Sequence, residues 1–375
     1  MTDVWERLFT LAEKGRYSTS PNPRVGAVLV AEGGEVVGEG FHDKAGLPHA
    51  EVGALASAGS RARGATLFVN LEPCAHQGRT PSCAEAVARA GVARVVCSIE
   101  DPDPRTAGAG IRHLRERGIP VDVGVEAERA ERLNEPFLAS VRNGRPFVEL
   151  KWAASLDGKI ASSTGASRWI SSEEARVDSM RLREERDAIL IGAGTVLADD
   201  PLLTRRLGLS SSIVPHRRLV LDGRLRVSAR ARVFQSSDLG EVWLVTARPA
   251  EDPALVPFRD RGVIVESFPL GDGRVDLAAL LLRLHEAETR SVLVEGGGGA
   301  AWSFVEQGLV DRVTCYVSPK LLGGATAPSP LSGPGFGDLE NVPFLSEIEV
   351  ARIGTDIRIS GRMVRPQRAG GPGSR

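Results

Sequence analysis

Very little in this chain is plentiful enough to suggest a special environment. Four cysteines in 375 residues are too few to staple a fold of this size. A disulfide scaffold is therefore excluded, and a reducing cytoplasm is expected. Aromatic residues make up 5% and the formal net charge is -1. Nucleic-acid binding draws on a basic face and stacking aromatics, so neither a nucleic-acid partner nor a charged membrane surface is expected. No apolar run approaches the ~18 residues a membrane span requires. The first six residues, Met1 to Glu6, lack a basic stretch followed by an apolar one, so no secretory leader is expected. There is no internal repeat. What remains is an ordinary soluble composition, 42% hydrophobic and 25% charged, in a chain too long for one core, so two domains are expected.

Against this plain background one stretch stands out: Pro48-His49-Ala50-Glu51, then Pro73-Cys74, then Pro81-Ser82-Cys83. It supplies one imidazole, one carboxylate and two thiols. Zinc takes nitrogen and sulfur ligands, and its catalytic sites use three protein ligands and keep one position open. His49, Cys74 and Cys83 provide three, and two thiolates with a neutral imidazole balance Zn²⁺. Glu51 is left as a candidate proton carrier. A closed structural site would need a fourth ligand, for which His76 and His42 are the candidates. The set resembles the zinc-dependent nucleoside and nucleobase deaminases, whose signature is H-x-E…P-C-x-x-C. The spacing departs from it: eight residues, Ala75 to Ser82, separate the cysteines. That longer insert resembles the riboflavin-pathway branch.

In chain order, Asp3 can cap a helix carrying Trp5, Leu8, Phe9 and Ala12 on one side. Strand 25–30, a Glu32-Gly33-Gly34-Glu35 turn and strand 35–41 make a hairpin. Gly26 allows either a close backbone approach or a plain bulge. Pro48 opens a helix to residue 58. Strand 66–70 precedes Cys74, and a helix from Pro81 and Ser82 to residue 90 places Cys83 at its positive end, which favours a thiolate. Strand 94–99, helix 107–117 and strand 121–125 complete an α/β alternation. Gly144-Arg145-Pro146 is the expected seam between residues 1–144 and 146–365. Ser171-Ser172-Glu173-Glu174 reads as a capping box for a helix to residue 186. Strands follow at 147–153, 188–192, 218–221, 242–246, 263–268 and 291–295. Four glycines, 296–299, lead into a helix to residue 307. Stretches 313–319 and 348–364 read as antiparallel strands, and 366–375 as a disordered tail.

On residue type alone, the glycine turn is either a phosphate cradle or a flexible strand-to-helix turn. Lys151, Trp169, Arg183 and Arg206 stay equally open. Cys97 and Cys315 read as inert core residues, and His113, His216 and His285 need no role. Several stretches occur in one order: Asn22-Pro23-Arg24-Val25-Gly26-Ala27-Val28, His49-Ala50-Glu51, Leu71-Glu72-Pro73-Cys74, Arg79-Thr80-Pro81-Ser82-Cys83, Ala154-Ser155-Leu156-Asp157-Gly158-Lys159, Ser167-Arg168-Trp169-Ile170, Gly194-Thr195-Val196-Leu197-Ala198-Asp199-Asp200-Pro201, Val294-Glu295-Gly296-Gly297 and Pro319-Lys320-Leu321-Leu322-Gly323. Taken together they resemble the bifunctional deaminase–reductase family of riboflavin biosynthesis along nearly the whole chain. Gly53 departs from it, standing where the family often has histidine.

The resemblance implies an α/β protein: an N-terminal cytidine-deaminase-like three-layer α/β/α domain and a C-terminal dihydrofolate-reductase-like α/β domain. It implies Zn²⁺ and NADPH, and a pyrimidine ribosyl phosphate that is first deaminated and then reduced along its sugar. By position, Ala154, Trp169, Thr195, Asp199, Gly297, Gly298, Gly299, Ala300, Ala301, Trp302 and Ser303 lie along NADPH. Ser167, Arg183, Leu203, Arg206 and Glu295 contact the ribosyl phosphate, and Lys151 is the candidate for polarising its carbonyl. A homo-oligomer is the expected assembly. The rivals are a zinc deaminase acting on nucleic acid and a metal-stabilised scaffold that binds a nucleotide without turnover.

Overall fold

The computed structural model describes residues 2–75, 82–235 and 239–366. His76, most of the Arg79-to-Cys83 motif, and the expected disordered tail after Pro366 lie outside the described residues. The chain divides into two compact units, Met1–Arg145 with Leu209–Val214, and Pro146–Gly208 with Pro215–Arg375. No helix among the described residues is long and apolar enough to cross a membrane.

The first unit runs α1 (Thr2–Glu13), β1 (Gly26–Val30), β2 (Val36–Phe41), α2 (Ala50–Ala58), β3 (Thr66–Val69), α3 (Cys83–Ala90), β4 (Arg94–Cys97), α4 (Ala109–Glu116), β5 (Val121–Val123), α5 (Ala127–Leu133) and α6 (Glu135–Asn143). Its sheet has the order β2-β1-β3-β4-β5. β1 is antiparallel to β2 and β3, and β3, β4 and β5 are parallel. Side chains alternate across a strand, so Gly26 and Ala27 face opposite sides. A Cβ on Gly26 would strike the Leu8 carbonyl of α1, and one on Gly40, which pairs with Ala27, would strike the Ala50 carbonyl of α2. The two helices thus cover opposite faces, and bare strand backbone lets each lie close. This resolves Gly26 as a close approach, to a helix; the bulge lies instead between Leu29 and Val30. Trp5, Leu8, Phe9 and Ala12 are buried as their spacing requires. Asp3 falls in the first turn of α1 rather than at its cap. Leu209–Val214 joins this unit through backbone: Ser211 N–H donates to the Tyr17 carbonyl at 2.9 Å.

In the second unit are β6 (Phe147–Ser155), α7 (Glu173–Glu185), β7 (Ala188–Gly192), α8 (Ala193–Asp199), β8 (Arg217–Leu221), β9 (Val242–Thr246), α9 (Val256–Arg259), β10 (Ile264–Ser267), α10 (Leu277–Glu286), β11 (Ser291–Glu295), α11 (Gly298–Gln307), β12 (Arg312–Ser318), β13 (Phe344–Ile353) and β14 (Asp356–Val364). The sheet order is β10-β9-β8-β7-β11-β6-β12-β14-β13. Strands from β10 to β12 are parallel, and β14 runs antiparallel to both β12 and β13. β7, β9 and β11 are buried along their whole length, as parallel strands covered on both faces must be. Ser172 caps α7 by accepting from Ala175 N–H at 3.2 Å, a serine cap rather than the expected capping box, because the third helical position is Ala175 and not a glutamate. α8 lacks a comparable sequence signal, whereas α10 is capped by Asp276, which accepts from Ala279 N–H at 3.0 Å, and buries Leu277, Leu280, Leu281 and Leu284 on one face. In open parallel sheets, ligands sit beyond the carboxyl ends of the strands; here those ends are Ser155, Gly192 and Glu295 of the neighbouring strands β6, β7 and β11.

Candidate functional site

The first unit converges on one point. His49 does not open α2. It is the residue before it, with extended backbone (φ -73°, ψ 163°), and the helix starts at Ala50. The imidazole is thereby free of the helix's own angular spacing, and Glu51 follows in the first turn. Cys83 is the first residue of α3, whose cap Ser82 accepts from Glu85 N–H at 3.4 Å. Cys74 follows the end of β3, and its sulfur accepts from Cys83 N–H at 3.4 Å. His49 Nδ1 lies 3.2 Å from Cys83 Sγ and 3.7 Å from Cys74 Sγ. The three ligand atoms all lie within 4.8 Å of one another.

The protonation of the cluster shows what fits it. The neighbouring Cys83 side chain, with His49 and the Cys83 backbone N–H, holds the Cys74 thiol well below its ordinary range. Cys83, as donor and buried, is pushed upward. The Cys74 thiolate in turn holds His49 above its usual range. A soft divalent cation that takes both sulfurs and the imidazole binds thiolates and a neutral ring, and so displaces the protons held there. Among the described residues no fourth ligand joins them. His42, one candidate, has both nitrogens engaged: Nδ1 lies 3.2 Å from the Pro48 carbonyl and Nε2 3.0 Å from Asn22 Nδ2. Three ligands and an open position characterise a catalytic rather than a structural zinc site. Glu51 is 3% exposed. Burial pushes its carboxyl up to about 7, against the pull of His49.

Two supporting residues escaped the sequence reading. Buried Asn70, at the end of β3, accepts from Gly26 N–H at 2.9 Å and donates to the Arg24 carbonyl at 2.9 Å. Glu72, also buried, accepts four backbone N–H groups. Both precede Cys74 closely in sequence, and their signals were a polar residue where a strand leaves the core and, for Glu72, its place in the Leu71-Glu72-Pro73-Cys74 stretch.

The second unit holds a cavity of about 460 Å³ at the carboxyl ends of β6, β7 and β11, a normal size for a small-molecule site. Ser167, Thr195, Asp199 and Leu203 line it, and so do Gly297, Gly298 and Ala301. Arg183, Glu295 and Lys151 also line it, as one cluster of charges. Arg183 grips Glu295 with two hydrogen bonds of 2.6 and 2.7 Å, and Lys151 Nζ lies 3.9 Å from the same carboxylate. Burial alone would raise Glu295, but the two cations outweigh it and hold it at about 2. Burial lowers Lys151, partly offset by Glu295. Gly296 and Gly297 have φ of 65° and 79°, and a Cβ on Gly297 would sit 2.9 Å from Thr195 Oγ1. The turn therefore requires glycine. It opens the first turn of α11 toward the cavity, where unpaired helix N–H groups suit a cofactor phosphate.

Other expected contacts do not line this cavity. Ala154 is buried in β6. Gly299 is exposed, and Ser303 Oγ donates to its carbonyl at 3.0 Å. Ala300 lies beside Gly192. Trp302 packs against Phe336, with ring centroids 5.2 Å apart. Trp169 is 62% exposed, with the Arg176 guanidinium 4.4 Å from its ring centroid. Arg206 is exposed. Cys97, buried at the end of β4, donates to the Ile99 carbonyl and is raised by burial, an inert thiol.

Comparison with known proteins agrees with both halves. The model of the cytidine and deoxycytidylate deaminase zinc-binding region matches residues 3–99, and that of the RibD C-terminal domain matches residues 146–359. The riboflavin biosynthesis protein RibD of Escherichia coli is 42% identical, over 94% of this chain and 96% of that protein. RibD of Bacillus amyloliquefaciens is 43% identical, over 93% of each. The structure of Acinetobacter baumannii RibD superposes with a TM-score of 0.83 at 36% identity, covering 96% of this chain and 98% of that one. A Thermotoga maritima structure described as a diaminohydroxyphosphoribosylaminopyrimidine deaminase/5-amino-6-(5-phosphoribosylamino)uracil reductase gives 0.79 at 35%, covering 96% and 97%. With three side chains that could hold a metal in one unit and a cavity lined by the Gly296–Gly297 turn in the other, the chain belongs to the RibD family of riboflavin biosynthesis, joining a zinc-dependent deaminase to an NADPH-dependent reductase.

Proposed function

We propose that the first unit deaminates 2,5-diamino-6-(ribosylamino)pyrimidinone 5′-phosphate by hydrolysis and that the second reduces the ribosyl chain of the product to ribityl. The observation that carries this reading is the convergence of His49, Cys74 and Cys83 within 4.8 Å, with Glu51 buried in the adjoining turn. His49, Cys74 and Cys83 would hold zinc, which when bound supplies the Lewis acidity that makes water nucleophilic. Glu51 is the proton carrier. Its carboxylate takes one proton from the attacking water and delivers it to the ring nitrogen, then takes the remaining proton of the added hydroxyl and delivers it to the amino group, which leaves as ammonia as the carbonyl forms. A carboxyl raised by burial is suited to both directions of transfer near neutral pH.

In the second unit Gly297, Gly298 and the α11 N-terminus would hold the cofactor phosphates, with Thr195 and Asp199 beside them. NADPH, when bound, supplies a hydride, and the protein supplies orientation and charge. Lys151 polarises the open-chain sugar carbonyl, and Glu295 keeps Lys151 and Arg183 in place. Ser167, Leu203 and Arg206 complete the ribosyl phosphate contacts, the guanidinium fork suiting phosphate. The partner on this reading is a small pyrimidine ribosyl phosphate rather than nucleic acid, which the near-zero net charge supports. A cytoplasmic homo-oligomer is the expected form.

One assay tests the whole reading. The purified diaminopyrimidine substrate is supplied with and without NADPH, and both ammonia and NADPH consumption are followed. Ammonia should appear without NADPH, and NADPH should be consumed only after deamination. Zinc and nucleotide binding with no turnover of either kind would contradict it in favour of a scaffold.

A further inference from the structure

We infer that Glu72 is a positioning residue for the metal centre, setting where Cys74 presents its sulfur. Glu72 is 3% exposed and lies two residues before Cys74. Its Oε1 accepts from Gly110 N–H at 2.8 Å and Ile111 N–H at 3.1 Å, in the first turn of α4. Its Oε2 accepts from Gly108 N–H at 2.9 Å and Asp101 N–H at 3.1 Å. One carboxylate thereby ties the end of β3 to the start of α4 and to the loop after β4. Its own N–H donates to the Ile99 carbonyl at 3.0 Å, so the residue is held at both ends.

The connection to the ligand is short and stiff. Pro73 intervenes with a fixed φ, and its carbonyl packs so tightly against Gly110 that a Cβ there would fall inside van der Waals contact. Cys74 is then caught from the other side by α3. Its carbonyl accepts from Ser82 Oγ at 2.8 Å and from Ala84 N–H at 3.1 Å, and its sulfur accepts from Cys83 N–H. Two helix N-termini thus close on residues 72–74, α4 on the carboxylate and α3 on the cysteine. Each Glu72 oxygen serves two donors. A glutamine must therefore turn an NH₂ toward two N–H groups, whichever way its amide lies. The resulting retreat of the 72–74 segment would carry Cys74 with it, while α3 keeps Cys83 in place.

This inference rests on the reading of His49, Cys74 and Cys83 as zinc ligands, and the test separates the two. Zinc affinity of the full chain is measured by competition with a chromophoric chelator, and Co²⁺ is substituted to read the thiolate charge-transfer band. Wild-type protein should take one zinc and Cys83→Ser none; failure of that result sinks the ligand reading itself. Glu72→Gln should bind zinc about 10–100-fold more weakly, the usual effect of losing an outer-shell partner, and its cobalt band should weaken or shift. Reductase turnover on pre-deaminated substrate should stay at the wild-type rate. Glu72→Asp retains both acceptor oxygens one methylene short and should fall between. A folded Glu72→Gln with wild-type zinc affinity and cobalt spectrum overturns the proposal. If Glu72→Gln does not fold, wild-type values in Glu72→Asp overturn it equally.

Discussion

The two halves of this chain present chemistry in opposite ways. In the first unit three ligand atoms meet at a point, with buried Glu51 in the adjoining helical turn, and each is delivered by a helix start or the end of a strand within 35 residues of sequence, His49 to Cys83. The second unit spreads its groups around a cavity of about 460 Å³, and its central charge cluster joins Lys151, Arg183 and Glu295 across more than a hundred residues. A metal site is a near-point constraint, so few residues carry all of it. A cofactor site is a surface, shared by many residues. Substitutions should therefore be close to all-or-none in the first unit and graded in the second.

The largest effect expected is at Glu51. Glu51→Gln keeps size and hydrogen bonding but cannot shuttle the proton. Deaminase turnover should fall ~10²–10⁴-fold, while elemental analysis still finds one zinc per chain. Loss of zinc would instead make Glu51 a ligand.

Arg183→Ala comes next and acts on stability. It leaves a buried carboxylate with only Lys151 at 3.9 Å, and breaking a buried pair costs on the order of 3 kcal/mol. The associated pH dependence has a definite sign. Glu295 is held at about 2, below its ordinary 4.5, so its contribution to stability is present above about pH 4.5 and is lost as pH falls toward 2. In Arg183→Ala the folded value rises toward the ordinary one, so that acid limb should shrink, and in Glu295→Gln it should vanish. Denaturant melts of the three proteins across pH 2 to 6 check this; coincident acid limbs would mean the pair is not coupled as described.

The smallest effect is expected at Arg206, an exposed residue outside the cavity lining. Arg206→Ala should raise the reductase KM by the loss of one charge-assisted contact, about 2 kcal/mol at most, with NADPH affinity and ammonia release unchanged. Equal weakening of NADPH binding would remove Arg206 from the substrate side.

The same contrast explains what could be read from sequence. The cluster of His49, Cys74 and Cys83 that could hold a metal, and the neighbouring Glu51, were legible because proline, histidine and cysteine at helix starts are rare, and their chemistry leaves few options. The alternation of strands and helices was legible for the same local reason: buried runs such as Ala188–Gly192 and Ser291–Glu295 match the observed strands residue for residue. The Arg183–Glu295 grip was not visible, because sheet order places β11 between β6 and β7, and nothing local encodes that order. Glu72 was hidden differently. Its four partners are backbone groups, which leave no trace in side-chain identity. Pro48 misled by two residues because His49 takes the cap itself.

Zinc removal from the wild-type protein tests the central claim most directly. The chain is treated with a chelator and assayed twice, for ammonia release from the diaminopyrimidine and for NADPH oxidation with the deaminated product. The account predicts that ammonia release is lost and returns when zinc is restored, while NADPH oxidation continues at the untreated rate. Ammonia release that survives complete removal of zinc would contradict the assignment of His49, Cys74 and Cys83, and parallel loss of both activities would contradict the separation of the two sites.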